Sequence, residues 1–258
     1  MTRDVYGYIC YMTKIVGIIP SRYASTRFPA KPLVGIAGKS MIQRVYEQAS
    51  KATKLSQVIV ATDDQRIYDH VKEFGGEVVM TSTEHQTGTD RCAEVLDAVR
   101  DTDVVINIQG DEPFIHPEQI DQLAEIMAIE GVQIGTLIKK IEVSEDLFSD
   151  TVVKVLKSLN DQAVYFSRSP IPFMKSLKQG EWLANGTFYK HVGMYGYRND
   201  VLKAVSKLPQ SPLEKSESLE QLRWLENGYS IQLAETEHES NSVDTPEDLD
   251  RLLEARNL

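Results

Sequence analysis

Short apolar runs alternate with amphipathic stretches through the first half of the chain. Ile15 to Ile19 is apolar at nearly every position, the pattern of a strand covered on both faces. Gln57-Val-Ile-Val-Ala, Glu77 to Met80 and Asp103-Val-Val-Ile-Asn-Ile repeat it, the last reading as a central strand. Between them, Ser40 to Ala52 places Met41, Ile42, Val45, Tyr46 and Ala49 on one helical stripe. Asp64 caps a second predicted helix through Phe74, which Gly75-Gly76 terminates. A third, from about Asp90 to Arg100, has Ala93, Leu96 and Val99 on its buried face, and Pro117 opens a fourth through Ile129. Strands alternating with amphipathic helices predict an α/β fold. Its sheet is mainly parallel, Rossmann-like and three-layered, with right-handed crossovers.

The second half is less regular. Gly135 to Lys140, Val152 to Leu156 and Ala163 to Phe166 read as strands, and Ser167-Arg-Ser-Pro-Ile-Pro as a turn. Residues 170–190 show no clear period, after which His191 to Arg198 alternates like a strand with one packed face. The section around 150–200 therefore reads as a small antiparallel lobe. Ser216 to Asn227 reads as one helix with Gly228 as its C-cap, and Ile231 to Ala234 as a late strand. Thr245 at N-cap, Pro246 at N1 and Asp248 at N3 start a last helix. That cap accounts for Thr245 and Pro246 but leaves Asp244, just before it, without a local reason.

With 258 residues the chain suits one domain, 14–258, behind a leader at 1–13, and Met12 could equally serve as the start site. The net charge of −10 argues against nucleic acid as main partner. Cys10 and Cys92 make neither a disulfide framework nor a zinc set. No apolar run is long enough for a membrane span and the first residues make a poor signal peptide, so the expected location is the cytoplasm.

An acidic protein that handles phosphates must concentrate its cations. Pro20 stops the first strand, and Arg22, Arg27 and Lys31 follow on one loop, a polyanion site of the kind found at the carboxyl end of open α/β sheets. The alternative is a solvated basic loop. Walker and dinucleotide fingerprints are both absent. Gly88, Thr89 and Arg91 stand at a helix entrance, where free amides favour anions; ordinary capping by Thr89 is the alternative. Asp111 lies on the Gln109-Gly-Asp-Glu-Pro turn past the central strand, fit to cap a turn or to hold a hard cation against phosphate. Asp244 also follows a predicted strand, so both carboxylates can reach one crevice. Together they suggest a nucleoside triphosphate bound with magnesium.

Ile19-Pro-Ser-Arg-Tyr-Ala-Ser-Thr-Arg-Phe-Pro-Ala-Lys-Pro-Leu33 resembles the signature of the 3-deoxy-manno-octulosonate (Kdo) cytidylyltransferases. Thr87–Arg91, Asn107–Pro113, His191–Arg198, Leu219–Arg223 and Val243–Leu249 resemble further segments of that family. The resemblance implies a nucleotidyltransferase fold, homodimers paired through the middle lobe, and transfer of CMP from CTP to Kdo for lipopolysaccharide synthesis. It implies nucleotide contacts from Arg22, Arg27, Lys31, Arg91 and Gln109. Asp111 and Asp244 would hold Mg2+, and Arg168, His191, Tyr195, Glu220 and Gln221 would bind the sugar acid. Read alone, Tyr195 is packing, His191 structural, and Glu220 and Gln221 a solvated helix face.

The chain departs from the family at two places. Ala30 stands where the family has glycine, so ordinary backbone angles are expected there. Ser149-Asp150-Thr151 replaces an Asn-Pro ahead of Val152-Val-Lys. Rival readings are a synthetase for another acidic sugar such as a sialic acid, a transferase acting on a sugar phosphate, and a nucleotide-binding regulator without turnover.

Overall fold

A computed structural model of the chain describes residues 13–24, 28–99 and 101–256. Arg27, Cys10 and all but the last residue of the expected leader lie outside them.

The apolar runs form strands as the pattern requires. β1 (Ile15–Ser21), β4 (Gln57–Thr62), β5 (Val78–Met80) and β6 (Val104–Asn107) pair in parallel, with β2 (Gly35–Ile36) and β3 (Lys39–Ser40) forming a separate small hairpin. Helices α1 (Met41–Ala49), α2 (Gln65–Glu73), α3 (Gly88–Ala98) and α4 (Pro117–Met127) connect them. β7 (Ile134–Lys140), α5 (Ser144–Phe148), β8 (Lys154–Lys157), β9 (Ala163–Ser167) and α6 (Trp182–Asn185) follow. The chain ends with β10 (Tyr189–Arg198), α7 (Asn199–Val205), α8 (Pro212–Glu217), α9 (Gln221–Glu226), β11 (Ile231–Glu235) and α10 (Pro246–Arg256).

The main sheet runs β11-β7-β10-β6-β1-β4-β5, parallel except for β10. One core lies between the sheet and α1, α2 and α4, and holds Ile42, Val45, Ile67, Val71, Ile120 and Leu123. A second lies on the opposite face beneath α3, α7 and α9, with Val95, Leu202, Leu222 and Trp224. Helices on both faces make the three layers. The chain leaves β1 toward β4 on one side, while β6 flanks it on the other. The carboxyl ends of β1 and β6 therefore flank a topological switch point, where open α/β sheets bind ligands.

Three local expectations are corrected. The stretch expected as one helix from Ser216 is two, α8 and α9. Ser218 between them sits in the left-handed region at φ 53°, which ends α8 and sets α9 off in a new direction. The cap of α3 is Thr87, whose hydroxyl accepts from the Asp90 amide at 3.1 Å, and not Thr89. Ala30 does adopt positive φ (58°), against the expectation of ordinary angles. Its methyl group then crowds the following carbonyl at a cost of about 1–2 kcal/mol. That left-handed turn leads directly into the 3-10 segment that carries Lys31.

The antiparallel part is smaller than the pattern suggests. Residues 189–198 pair with β6 and β7 inside the main sheet, leaving β8 and β9 as an antiparallel extension on β10. The departure at 149–151 does not disturb this region. Lys154, fully buried, donates to the Ser149 and Val152 carbonyls at 2.6 Å and to that of Arg168. Backbone oxygens serve whatever side chains the loop carries.

Candidate active site

Three segments meet at the switch point, and packing explains why. The loop after β1 turns through a 3-10 segment, Lys31–Leu33. A small apolar cluster of Ile36, Met41, Val243, Leu249 and Leu252, with Phe28 and Val34 against it, fastens that loop to α10. The Val243 amide donates to the Asp111 carbonyl at 2.9 Å, joining the segment before α10 to the turn after β6. Gly110 lets that turn sit against β1, since a Cβ there would lie 2.8 Å from the Pro20 carbonyl oxygen. Asp248 accepts from the amides of Asp244 and Thr245 at 3.0 and 2.9 Å, fixing the backbone that carries Asp244.

Lys31 lies at the centre. Its ammonium donates to Asp111 Oδ2 and to the Val243 carbonyl, both at 2.8 Å, and stands 3.5 Å from Asp244 Oδ1. Two aspartates 133 positions apart in sequence thus converge on one cation. A cavity of about 400 Å³ opens beside them, lined by Pro20, Arg22, Lys31, Gln109, Asp111 and Asp244 among others. Arg22 is exposed at its rim.

A second cavity, about 960 Å³, shares Gln109, Asp111 and Asp244 with the first. The Gln109 amide donates to the Gly193 carbonyl at 2.7 Å, tying this shared wall to β10. His191 also lines the larger cavity. Thr136 donates to the Met194 carbonyl at 2.7 Å, which leaves its oxygen to accept from His191 Nε2 at 3.0 Å. Burial drives the imidazole pKa down to about 3, so the ring is neutral and is no proton carrier at physiological pH. Lys139 and Lys190, cations the sequence reading passed over, line the same cavity, where Lys190 is paired with Asp146 at 2.8 Å and Glu239 at 3.0 Å. Glu112, next to Asp111 and buried, has its carboxyl pushed up to about 7 by burial and, less, by the Asp111 charge.

The other expected residues fall elsewhere. Arg91, only 1% exposed, gives its guanidinium to Asp63 at 2.7 Å and to Thr81, and is absent from the described lining of both cavities. Its geometry is that of a brace between α3 and the ends of β4 and β5. Arg168 donates to the carbonyls of Glu217 (2.7 Å) and Asp150 (2.9 Å), tying the end of α8 to the loop before β8. Tyr195, Glu220 and Gln221 gather on the α9 side of the sheet, with Tyr195 packed edge-on against Trp224 at 4.9 Å. They are not the solvated or purely apolar positions that their local patterns suggest. Glu220 accepts from Thr89 at 3.0 Å, and burial raises its carboxyl pKa. Its Oε1, the Tyr195 and Tyr197 hydroxyls and Trp224 Nε1 are buried without a hydrogen-bond partner. Orphaned polar atoms in such number are uncommon in a folded core and mark a place for a polar ligand or water. Tyr197 and Trp224 were not singled out from the sequence, although Tyr197 shares the face of Tyr195 by simple alternation.

A parallel three-layer sheet with a cationic loop and paired aspartates at its switch point defines a nucleotide-handling α/β enzyme. Residues 16–234 match the family model described as Cytidylyltransferase. A 3-deoxy-manno-octulosonate cytidylyltransferase of Parabacteroides distasonis is 54% identical over 247 residues, 94% of this chain and 98% of that one. The protein of the same name from Geobacter metallireducens is 49% identical, over 93% and 97% of the two chains. Among solved structures, a CMP:2-keto-3-deoxy-manno-octonic acid synthetase complexed with CTP superposes with a TM-score of 0.88 at 41% identity, covering 95% of this chain and all of that one. The 4-diphosphocytidyl-2C-methyl-D-erythritol synthase of Anaerococcus prevotii shares the fold at 14% identity and a TM-score of 0.59, over 95% and 99% of the two chains. The chain belongs to the 3-deoxy-manno-octulosonate cytidylyltransferase family. Among the described residues, no helix is long and apolar enough to cross a membrane.

Proposed function

We propose that the protein transfers CMP from CTP to the anomeric hydroxyl of Kdo, releasing pyrophosphate in the cytoplasm for lipopolysaccharide synthesis. The observation that carries this is the gathering of Asp111 and Asp244, on the wall that two cavities share, around Lys31, which lines the smaller of the two. One cavity has the cations a triphosphate needs. The other is large enough for a sugar acid. The anomeric oxygen, its proton passing to solvent, attacks the α-phosphorus and forms the new P–O bond as the bond from that phosphorus to the β-phosphate oxygen breaks. Little covalent chemistry falls to the protein. Lys31, with Arg22 and Arg27, orients the triphosphate and neutralises charge on the departing pyrophosphate.

Asp111 and Asp244 fit a magnesium ion. They are hard oxygen donors already gathered around one cation, the Lys31 ammonium, and nucleotide sites hold magnesium with one or two carboxylates plus phosphates. When bound, the metal would act as a Lewis acid that lowers the pKa of the attacking hydroxyl. On the acceptor side, the orphaned atoms beside α9 support a ligand rich in hydroxyl groups, and His191, with its ring 5.0 Å from that of Tyr195, connects them to the larger cavity. Exposed Leu159, Val164 and Phe173 on and near the antiparallel extension support a homodimer.

Pyrophosphate release from CTP and magnesium is the direct test, with Kdo, its amino-substituted analogue, a sialic acid and a sugar phosphate as acceptors. Release with Kdo well above the other acceptors is expected. Release with the sialic acid or the sugar phosphate and not with Kdo would overturn the substrate. Binding of CTP without release under any acceptor would favour a regulator.

A further inference from the structure

Lys31 occupies the place where a cation bound by Asp111 and Asp244 would sit. It is not a peripheral salt bridge. The lysine side chain is 14% exposed and the aspartates 21% and 38%, so the three groups share a partly desolvated crevice. Three contacts direct the ammonium inward: the Asp111 carboxylate, the Asp244 carboxylate, and the Val243 carbonyl between the two segments. Two carboxylates converging in such a crevice repel each other unless a positive charge lies between them. Lys31 supplies that charge from within the chain. A divalent ion entering the nucleotide-free protein would have to face the ammonium or drive it out, and the latter would leave a lysine without its partners near a doubly charged ion.

We propose that Lys31 is a placeholder cation. It keeps Asp111 and Asp244 convergent before substrate arrives and bars the metal position until a nucleotide's phosphates draw the ammonium away. The metal then enters with the triphosphate and not ahead of it. This rests on the reading of Asp111 and Asp244 as metal ligands and adds an order of events that the reading does not require. Lys31 thus has a positioning role before it has a phosphate-binding one. Ala30, held at positive φ immediately before it, is the bend from which the side chain would swing.

The test is binding of Mn2+ by the nucleotide-free protein, followed by electron paramagnetic resonance and calorimetry, so that turnover plays no part. Lys31→Met keeps the aliphatic stem and removes the charge. It should bind Mn2+ at least about tenfold more tightly than the wild type, equivalent to about 1.4 kcal/mol. Adding Asp111→Asn to Lys31→Met should abolish the gain. Equal Mn2+ affinity in wild type and a folded Lys31→Met would overturn the placeholder. A gain that survives Asp111→Asn would instead sink the assignment of Asp111 as a ligand, so the two failures are distinguishable. If Lys31→Met does not fold, the wild type decides. Mn2+ affinity that is the same without nucleotide as with a non-hydrolysable CTP analogue overturns the proposal, and tighter binding only with the analogue supports it.

Discussion

Asp111→Asn and Asp244→Asn are each expected to lower kcat by at least about 100-fold, the usual scale for removing one group that stabilises charge in a transition state. The argument is local. Asparagine keeps the shape of the side chain, and the backbone bond from the Val243 amide to the Asp111 carbonyl does not depend on the carboxylate. The Asp244 backbone stays anchored by Asp248. Folding should therefore survive, and the loss should fall on kcat more than on KM for CTP, the signature of an interaction used in the transition state. Steady-state kinetics with a melting curve for each variant checks this. Near-normal kcat in both would remove the paired carboxylates from the chemistry.

The second large effect concerns stability. Arg223 on α9 and Glu214 on α8 form a bidentate pair at 2.8 and 2.6 Å, and Arg223 also donates to the Leu208 carbonyl at 3.0 Å. Both side chains are almost wholly buried, 5% and 7% exposed. Arg223→Met leaves the Glu214 carboxylate buried with no opposite charge and only the Ser211 amide, at 3.2 Å, as a donor, and breaking a buried pair in this way typically costs about 3–5 kcal/mol. For a chain of this size that is a fall in Tm on the order of 10 °C. Replacing both residues by apolar ones of similar volume should recover most of it, because a buried pair contributes little beyond what well-packed hydrophobic side chains do. Scanning calorimetry of the single and double variants reads both effects. A single variant as stable as the wild type would contradict the account. Since Arg223 also stands 3.8 Å from Glu220 Oε1, the single change should disturb the acceptor side of the site as well.

The elements that were legible in the sequence are those whose burial leaves a local pattern. β1, β4 and β6 are apolar runs because helices cover both faces of the sheet, and α1 and α4 show their stripes because one side of each meets a core. The break at Ser218 left no such trace. Leu219, Leu222 and Trp224 keep a helical spacing across it, while the left-handed residue between α8 and α9 is not a glycine. Ala30 is illegible for a related reason: its left-handed φ is carried by a residue with a side chain, which local sequence rules reserve for glycine. The strand at 189–198 alternates as expected, but which sheet it joins is set by pairing with β6 and β7, far away in sequence.

The site divides in the same way. Lys31 is legible as one of three cations on the loop after β1, Asp111 as a carboxylate on the turn past a central strand, and Asp244 as a residue just before a cap that does not account for it. Arg91 stood out on the same grounds, at a helix entrance, yet Asp63 and Thr81 engage it, and that partnership exists only in three dimensions. Conversely, the partnerless Tyr197 and Trp224 look like ordinary core residues until the orphaned atoms around Glu220 are seen together.

The central claim is that one cationic side chain and two carboxylates at the switch point act on the same triphosphate. A crystal structure of the protein with CTP and magnesium tests it most directly. It should show Lys31 on the phosphates and a single ion touching the carboxylates of both Asp111 and Asp244. A nucleotide bound with Lys31 still locked between the two aspartates, and the metal held by neither, would contradict the account.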